Sequence, residues 1–166
     1  IYKSLNCGFG SKDKKTNIKK NLKIVKKRIN RKSKEIFLVK QIHGNKFIFL
    51  DKNSTIKNRS ITADAIVTEK KRLPIAVLTA DCVPILLFDK KKKIIAAIHA
   101  GWKSAFKGII DKVIKFMLKK GCECKNITVG IGPSISKKNY NVKQDFKNKF
   151  IKKHKKNKIF FETRNE

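Results

Sequence analysis

Apolar residues recur at helical spacing between positions 18 and 29, where Ile18, Leu22, Val25 and Ile29 share one face. Thr16 stands where an N-cap is wanted, so the pattern predicts a helix that ends near Asn30. Two strands follow, 36–42 and 46–51, with Gly44 and Asn45 between them and a polar loop over 52–60. Ala63–Thr68 and Leu73–Thr79 read as buried strands separated by a turn at Lys70–Arg72. Ile85–Phe88 and Ile94–His99 predict a hairpin around the lysine run after Asp89. A helix is expected from near Ser104, with Phe106, Ile109, Val113 and Met117 on its apolar face and Gly121 as its stop. Ile127–Ile131 is a further strand leading into the Gly132–Pro133 break. Residues 143–154 make a strongly basic second helix, and 159–161 a last strand fragment. Strand runs with helices between only some of them predict a single α+β domain rather than regular βαβ units.

Composition narrows this little. The 166 residues are 40% hydrophobic, enough for one domain with a sizeable core. No apolar run approaches the roughly 18–20 residues that span a membrane, and no charged-then-apolar leader opens the chain. We therefore expect no membrane partner. The cysteines Cys7, Cys82, Cys122 and Cys124 are too few and too irregular for a disulfide scaffold, which points to a reducing, cytoplasmic compartment.

The formal charge of +31 invites a nucleic-acid reading. Lysine supplies nearly all of it; the arginines are Arg28, Arg31, Arg59, Arg72 and Arg164. The lysines are spread along the whole chain in the company of Ile, Asn and Phe, a mixture expected from an AT-rich coding sequence. Nucleic-acid binders concentrate charge on one element and grip phosphate with Arg. We expect no specific nucleic-acid partner, only the salt-sensitive attraction that follows from the charge.

Three chemically strong side chains share one setting, the edge where a strand meets a loop: His43 in Gln41-Ile42-His43-Gly44, Cys82 in Thr79-Ala80-Asp81-Cys82, and His99 in His99-Ala100-Gly101-Trp102. Two imidazoles and a thiolate are good zinc ligands, and three protein ligands leave the fourth position open for water or substrate. Spacing alone leaves the bland readings open, with Cys82 a small core hydrophobe and each His a satisfied polar group. Asp81 is able to orient a ligand or exchange protons, or simply to cap a strand end. Gln41 is able to meet a purine edge, or simply to satisfy backbone.

These segments resemble the YfiH, or laccase-domain, family. Tyr2-Lys3-Ser4-Leu5-Asn6, Gln41-Ile42-His43-Gly44, Ala63-Asp64-Ala65-Ile66-Val67-Thr68 and Thr79-Ala80-Asp81-Cys82-Val83-Pro84 follow its motifs in order. His99-Ala100-Gly101-Trp102, Ile131-Gly132-Pro133 and Tyr140-Asn141-Val142 continue them. The resemblance implies that His43, Cys82 and His99 bind zinc and form the catalytic centre, with Gln41 and Asp81 as candidate substrate contacts. It implies an α/β/β/α sandwich of two mixed sheets. It also implies phosphorolysis of adenosine, inosine and methylthioadenosine to base and (thio)ribose 1-phosphate, with adenosine deamination on the side. A purine nucleoside and phosphate are then the partners.

The chain departs from that family in places. Lys103-Ser104 replaces the common Arg-Gly after the Trp, which keeps a charge but loses the bidentate fork. Ser134 stands where many members have Cys. Segments that flank the motifs in the family, before Tyr2 and beyond Glu166, are missing, so a domain truncated at both ends is expected. Other readings use the same residues. A blue-copper site wants a Met and an oxidase many more histidines, whereas this chain has His43, His99 and His154, with Met117 on an apolar helix face. A metal-free hydrolase of a peptidoglycan-precursor amide would take Cys82 as nucleophile and His99 or His43 as base. A basic nucleic-acid module would leave the motifs without a role.

Overall fold

The computed structural model describes residues 5–29, 32–33 and 35–162. Asn30, Arg31, Arg164 and the Tyr2-Lys3-Ser4 part of the first motif lie outside the described residues. The fold divides into two compact units, 1–134 and 135–166.

In the first unit the first helix, α1 (Lys15–Ile29), buries Ile18 on its apolar face. Thr16 lies within the helix rather than capping it. The group at its start is Asp13, whose carboxylate accepts from the Lys14 N–H at 2.7 Å and from Asn17 Nδ2 at 3.1 Å.

Five strands form one mixed sheet: β1 (Phe47–Leu50), β2 (Ala65–Thr68), β3 (Val83–Asp89), β4 (Ile95–Ala100) and β5 (Ile127–Ile131). Their order is β1-β2-β4-β3-β5, parallel between β1 and β2 and antiparallel elsewhere. The α+β class expected from the sequence is therefore present, built among the described residues on one mixed sheet with helices. The β3–β4 hairpin is closed by Asp89 rather than by the lysines alone. Its carboxylate accepts from the Lys91 and Lys92 N–H groups at 2.9 and 2.7 Å, while Lys93 turns through φ +58°.

The pattern over 36–42 and 73–79 reads as strand, but those segments pair only through isolated bridges, Phe37 with Ile75 and Lys40 with Thr62. The reason is a change of partner along the chain. Phe37 exchanges hydrogen bonds with Pro74 and Ala76, and Lys40 with Ile61 and Ala63. Between them the Leu38 N–H donates to the Asn58 side chain. No continuous ladder forms, yet Ile36, Phe37, Leu38 and Val39 are all buried. Phe37, Val39 and Ala63 pack with Leu50 of β1 and Ile66 of β2 in one core cluster.

Helices cover one face of the sheet. The single helix expected from Ser104 is two: α2 (Trp102–Phe106) and α3 (Ile109–Lys119). Gly108 separates them at φ +74°, a left-handed turn that glycine adopts without steric cost. The predicted stripe survives the break, since Ile109, Val113 and Met117 are fully buried against Ala65, Val67, Ile85, Leu87, Ala96 and Ile98. Gly121 stops α3 as expected, at φ +83°. The Cys122 N–H reaches the Met117 carbonyl and the Gly121 N–H that of Leu118, a Schellman pattern.

The second unit carries the basic helix α4 (Gln144–Lys153). Phe146 and Phe150 stack along it with ring centroids 4.8 Å apart, and Phe161 packs edge-on against Phe150 at 6.1 Å. The strand fragment expected at 159–161 is not formed. Lys155–Phe160 turns as a 3-10 helix instead, which leaves Ile159 and Phe160 exposed rather than paired.

Candidate metal centre

The sheet register brings two of the three candidate ligands together. Pro84 pairs with His99 and Val83 with Ala100, so Cys82, the next residue back along β3, arrives beside the end of β4. The third comes from a turn. His43 ends the extended 36–42 segment in a left-handed conformation, φ +56°, which only a few per cent of non-glycine residues adopt. The donor atoms of His43, Cys82 and His99 all lie within 4.8 Å of one another. The two rings meet edge to face, their centroids 4.7 Å apart. His99 is buried, Cys82 half-buried and His43 exposed, so the cluster opens to solvent on the His43 side.

One buried carboxylate organises both histidines. Asp64, at the start of β2, accepts from the N–H groups of Ile42, His43 and Gly44 at 3.3, 2.9 and 2.6 Å. Its Oδ1 also lies 2.9 Å from His99 Nδ1. Sequence reasoning gave Asp64 no role. The available signal was a single acid inside the otherwise apolar run Ala63–Val67.

Gly101 supplies the space. A Cβ at this position would stand 2.7 Å from His43 Nδ1 and 3.0 Å from Cys82 Sγ, so both donors face the hollow over its Cα. Tetrahedral zinc sets neighbouring N and S donors about 3.4–3.6 Å apart, and donors within 4.8 Å reach that by a small inward rotation. Two nitrogens and one sulfur suit zinc, and three ligands leave a coordination position free. The residues present fit the ion.

Burial pushes the Cys82 thiol above its ordinary pKa, and the nearby carboxylates Asp81 and Asp64 push it further in the same direction. That is the reverse of what a free cysteine nucleophile needs. A bound cation would reverse it, because a coordinating thiol is deprotonated outright.

The other candidates are placed as follows. Gln41 makes a two-way bond with backbone: its Nε2 donates to the Leu78 carbonyl and its Oε1 accepts from the Leu78 N–H, both at 2.8 Å. It clamps the 73–79 segment that leads to Cys82. Asp81 is exposed next to Cys82. Lys103 is exposed, its Nζ 5.5 Å from the Trp102 ring centroid. Ser104 is fully buried, and its hydroxyl has no hydrogen-bond partner. Met117 belongs to the core beneath α3, not to the centre. All four cysteines are free thiols. Among the described residues no helix is long and apolar enough to cross a membrane.

Comparison with known proteins places this arrangement. A purine nucleoside phosphorylase of Rickettsia conorii is 38% identical over 130 residues, 78% of this chain and 52% of that protein. One from Aquifex aeolicus is 37% identical over 135 residues, 80% of this chain and 62% of that protein. The chain thus spans about half the length of the Rickettsia relative, 52%. Among solved structures, a Neisseria meningitidis protein matches with a TM-score of 0.77 at 27% identity, covering 93% of this chain and 60% of its own. The fold is also that of the Bacillus licheniformis protein YfiH, with a TM-score of 0.79 at 24% identity over 88% of this chain and 57% of that one. The family described as multi-copper polyphenol oxidoreductase laccase matches residues 1–166, across both compact units. The chain therefore belongs to this family, the laccase-domain or YfiH family whose motifs its sequence carries.

Proposed function

We propose that this chain carries the catalytic centre of a zinc-dependent purine nucleoside phosphorylase, with both units belonging to one laccase domain. The reaction joins phosphate to the anomeric carbon of adenosine, inosine or methylthioadenosine and releases the free base and (thio)ribose 1-phosphate. Adenosine deamination accompanies it as a side activity. The observation that carries the reading is the convergence of His43, Cys82 and His99 over Gly101 in a chain 38% identical to a purine nucleoside phosphorylase. A reducing, cytoplasmic setting goes with it, as expected for cysteines too few and too irregularly spaced for a disulfide scaffold.

Zinc held by these three side chains supplies a Lewis-acid centre with a free coordination position. The chain's own residues do the rest. His99, fixed by Asp64, presents one nitrogen to the centre, and the exposed side of the cluster at His43 admits the nucleoside. Lys103 offers phosphate a mobile point charge close to Trp102, without the geometric grip of an Arg. Asp81, exposed beside Cys82, is our candidate for a substrate contact or proton exchange. Gln41 keeps Cys82 in place through its clamp on Leu78, and its second amide N–H and second oxygen lone pair leave it our candidate contact for a purine edge.

The test is hypoxanthine release from inosine and phosphate, with and without a chelator. Phosphate-dependent release that the chelator abolishes and zinc restores supports the reading. Release that ignores phosphate, or survives complete zinc removal, sinks it. The protein assayed should extend to the length of the relatives, because this chain spans 52% of the Rickettsia enzyme.

A further inference from the structure

We propose that Asp64 is the positioning residue of the metal centre. It fixes His99 in the tautomer whose Nε2 faces the site and holds His43 in its left-handed turn, so that the two ligands are set by a single buried group. The proposal rests on the reading that the three donors hold a metal, and is independent of the nucleoside chemistry.

The carboxylate is fully buried, and both oxygens are used as acceptors. Oδ2 takes the N–H groups of Gly44 at 2.6 Å and Ile42 at 3.3 Å; Oδ1 takes that of His43 at 2.9 Å. Backbone amides can only donate, so three of the four groups facing Asp64 fix it as an acceptor. The fourth, His99 Nδ1 at 2.9 Å from Oδ1, is then the protonated ring nitrogen. Its Nε2 is left with a lone pair, the form a metal requires. The main chain of Asp64 is tied down as well. Its N–H donates to the Lys46 carbonyl at 2.9 Å, and its carbonyl accepts from the His99 N–H at 2.8 Å. A carboxylate that merely capped the 42–44 turn would need only the three amides. The bond to a ring on another strand makes it part of the centre.

An Asn at this position has one acceptor and one donor. With its oxygen toward His43 and His99, its NH2 confronts the amides of Ile42 and Gly44. Turned over, its NH2 confronts His99 Nδ1 and favours the tautomer that blocks Nε2. The experiment uses the full chain, ring-15N-labelled at histidine, stripped of metal and then titrated with zinc against a chromophoric chelator. Wild-type protein is expected to show His99 protonated at Nδ1 and bare at Nε2. Asp64→Asn is expected to shift that tautomer and to weaken zinc about 10–100-fold. A wild-type His99 carrying its proton on Nε2 overturns the proposal. So does an Asp64→Asn protein that keeps zinc affinity within about twofold of wild type, measured against that same range. Where the variant does not fold, the wild-type ring measurement decides alone. No nucleoside enters the experiment, so a failure of phosphorolysis and a failure of this proposal are separately visible.

Discussion

Substituting Gly101 by Ala tests the metal centre without touching a ligand. Gly101 sits at φ −65° and ψ 160°, extended backbone that alanine adopts freely. The substitution therefore strains no dihedral, and the loss of glycine's freedom in the unfolded chain contributes about 0.4–1 kcal/mol in favour of the fold. Against this stands the new methyl, 2.7 Å from His43 Nδ1 and 3.0 Å from Cys82 Sγ, where ordinary contact begins at 3.4 Å. His43 is exposed and able to swing outward, so overpacking should cost no more than about 1–3 kcal/mol. The fold should survive with a modest net change in stability.

Metal binding should not survive. The methyl occupies the hollow that both donors face, and each can relieve the clash only by moving away from the common centre. Loss of an outer supporting group weakens such sites by about 10–100-fold, and direct obstruction should exceed the upper figure. A hundredfold loss corresponds to about 2.7 kcal/mol of binding free energy. The assay is zinc affinity by competition with a chromophoric chelator, run beside a thermal melt of the same sample. A Gly101→Ala protein that melts cooperatively and still binds one zinc at wild-type affinity would refute the reasoning, since the ion could not then sit over Gly101.

Two further predictions concern the scaffold. Met117→Ala removes a fully buried side chain from the core under α3 and should cost about 2–5 kcal/mol, seen as a lower urea midpoint with zinc stoichiometry unchanged. Retention of the wild-type midpoint would show that the helix stripe is not the core it is taken to be. Asp89 titrates below the ordinary carboxylate value, chiefly because the Lys92 N–H, then that of Lys91, donates to it, with Cys122 and the Glu123 N–H adding to the effect. A depressed folded pKa gives stability that is present above the unfolded value, about 3.9, and is lost as pH falls through the folded one. Asp89→Asn should therefore flatten part of the fall in urea midpoint between about pH 5 and pH 2. Asp13 and Asp51, also depressed, are untouched by the substitution and keep their own share of that fall. An acid limb identical in the two proteins would contradict the role given to the β3–β4 turn.

Much of the scaffold is legible in the residue pattern because each of those features is local. The stripe Ile109, Val113 and Met117 follows from helical spacing, and the Gly121 stop from the left-handed residue a Schellman cap needs. Strands β2 to β5 follow from short apolar runs bounded by polar turns. The failures are local signals overruled by distant partners. The run 36–42 has strand composition but divides its hydrogen bonds among residues 58–64 and 74–78. Phe106 and Ile109 read as one helix until Gly108 turns left-handed between them. Residues 159–161 are apolar enough for a strand, yet take a 3-10 turn with Ile159 and Phe160 exposed.

The sequence by itself determined which chemistry was available: two imidazoles and one thiol at strand-loop edges, within motifs whose order marks a family. Side-chain type is a property of the residue, and motif order a property of the chain, so neither needs coordinates. Only the tertiary structure decided that these three meet, because the Pro84–His99 register and the Asp64 bridge join segments that are neighbours in space alone. It also decided the role of the two residues that residue type could not reveal. Asp64 matters because four donors surround it, and Gly101 because the side chain it lacks would fill the place where two donors meet.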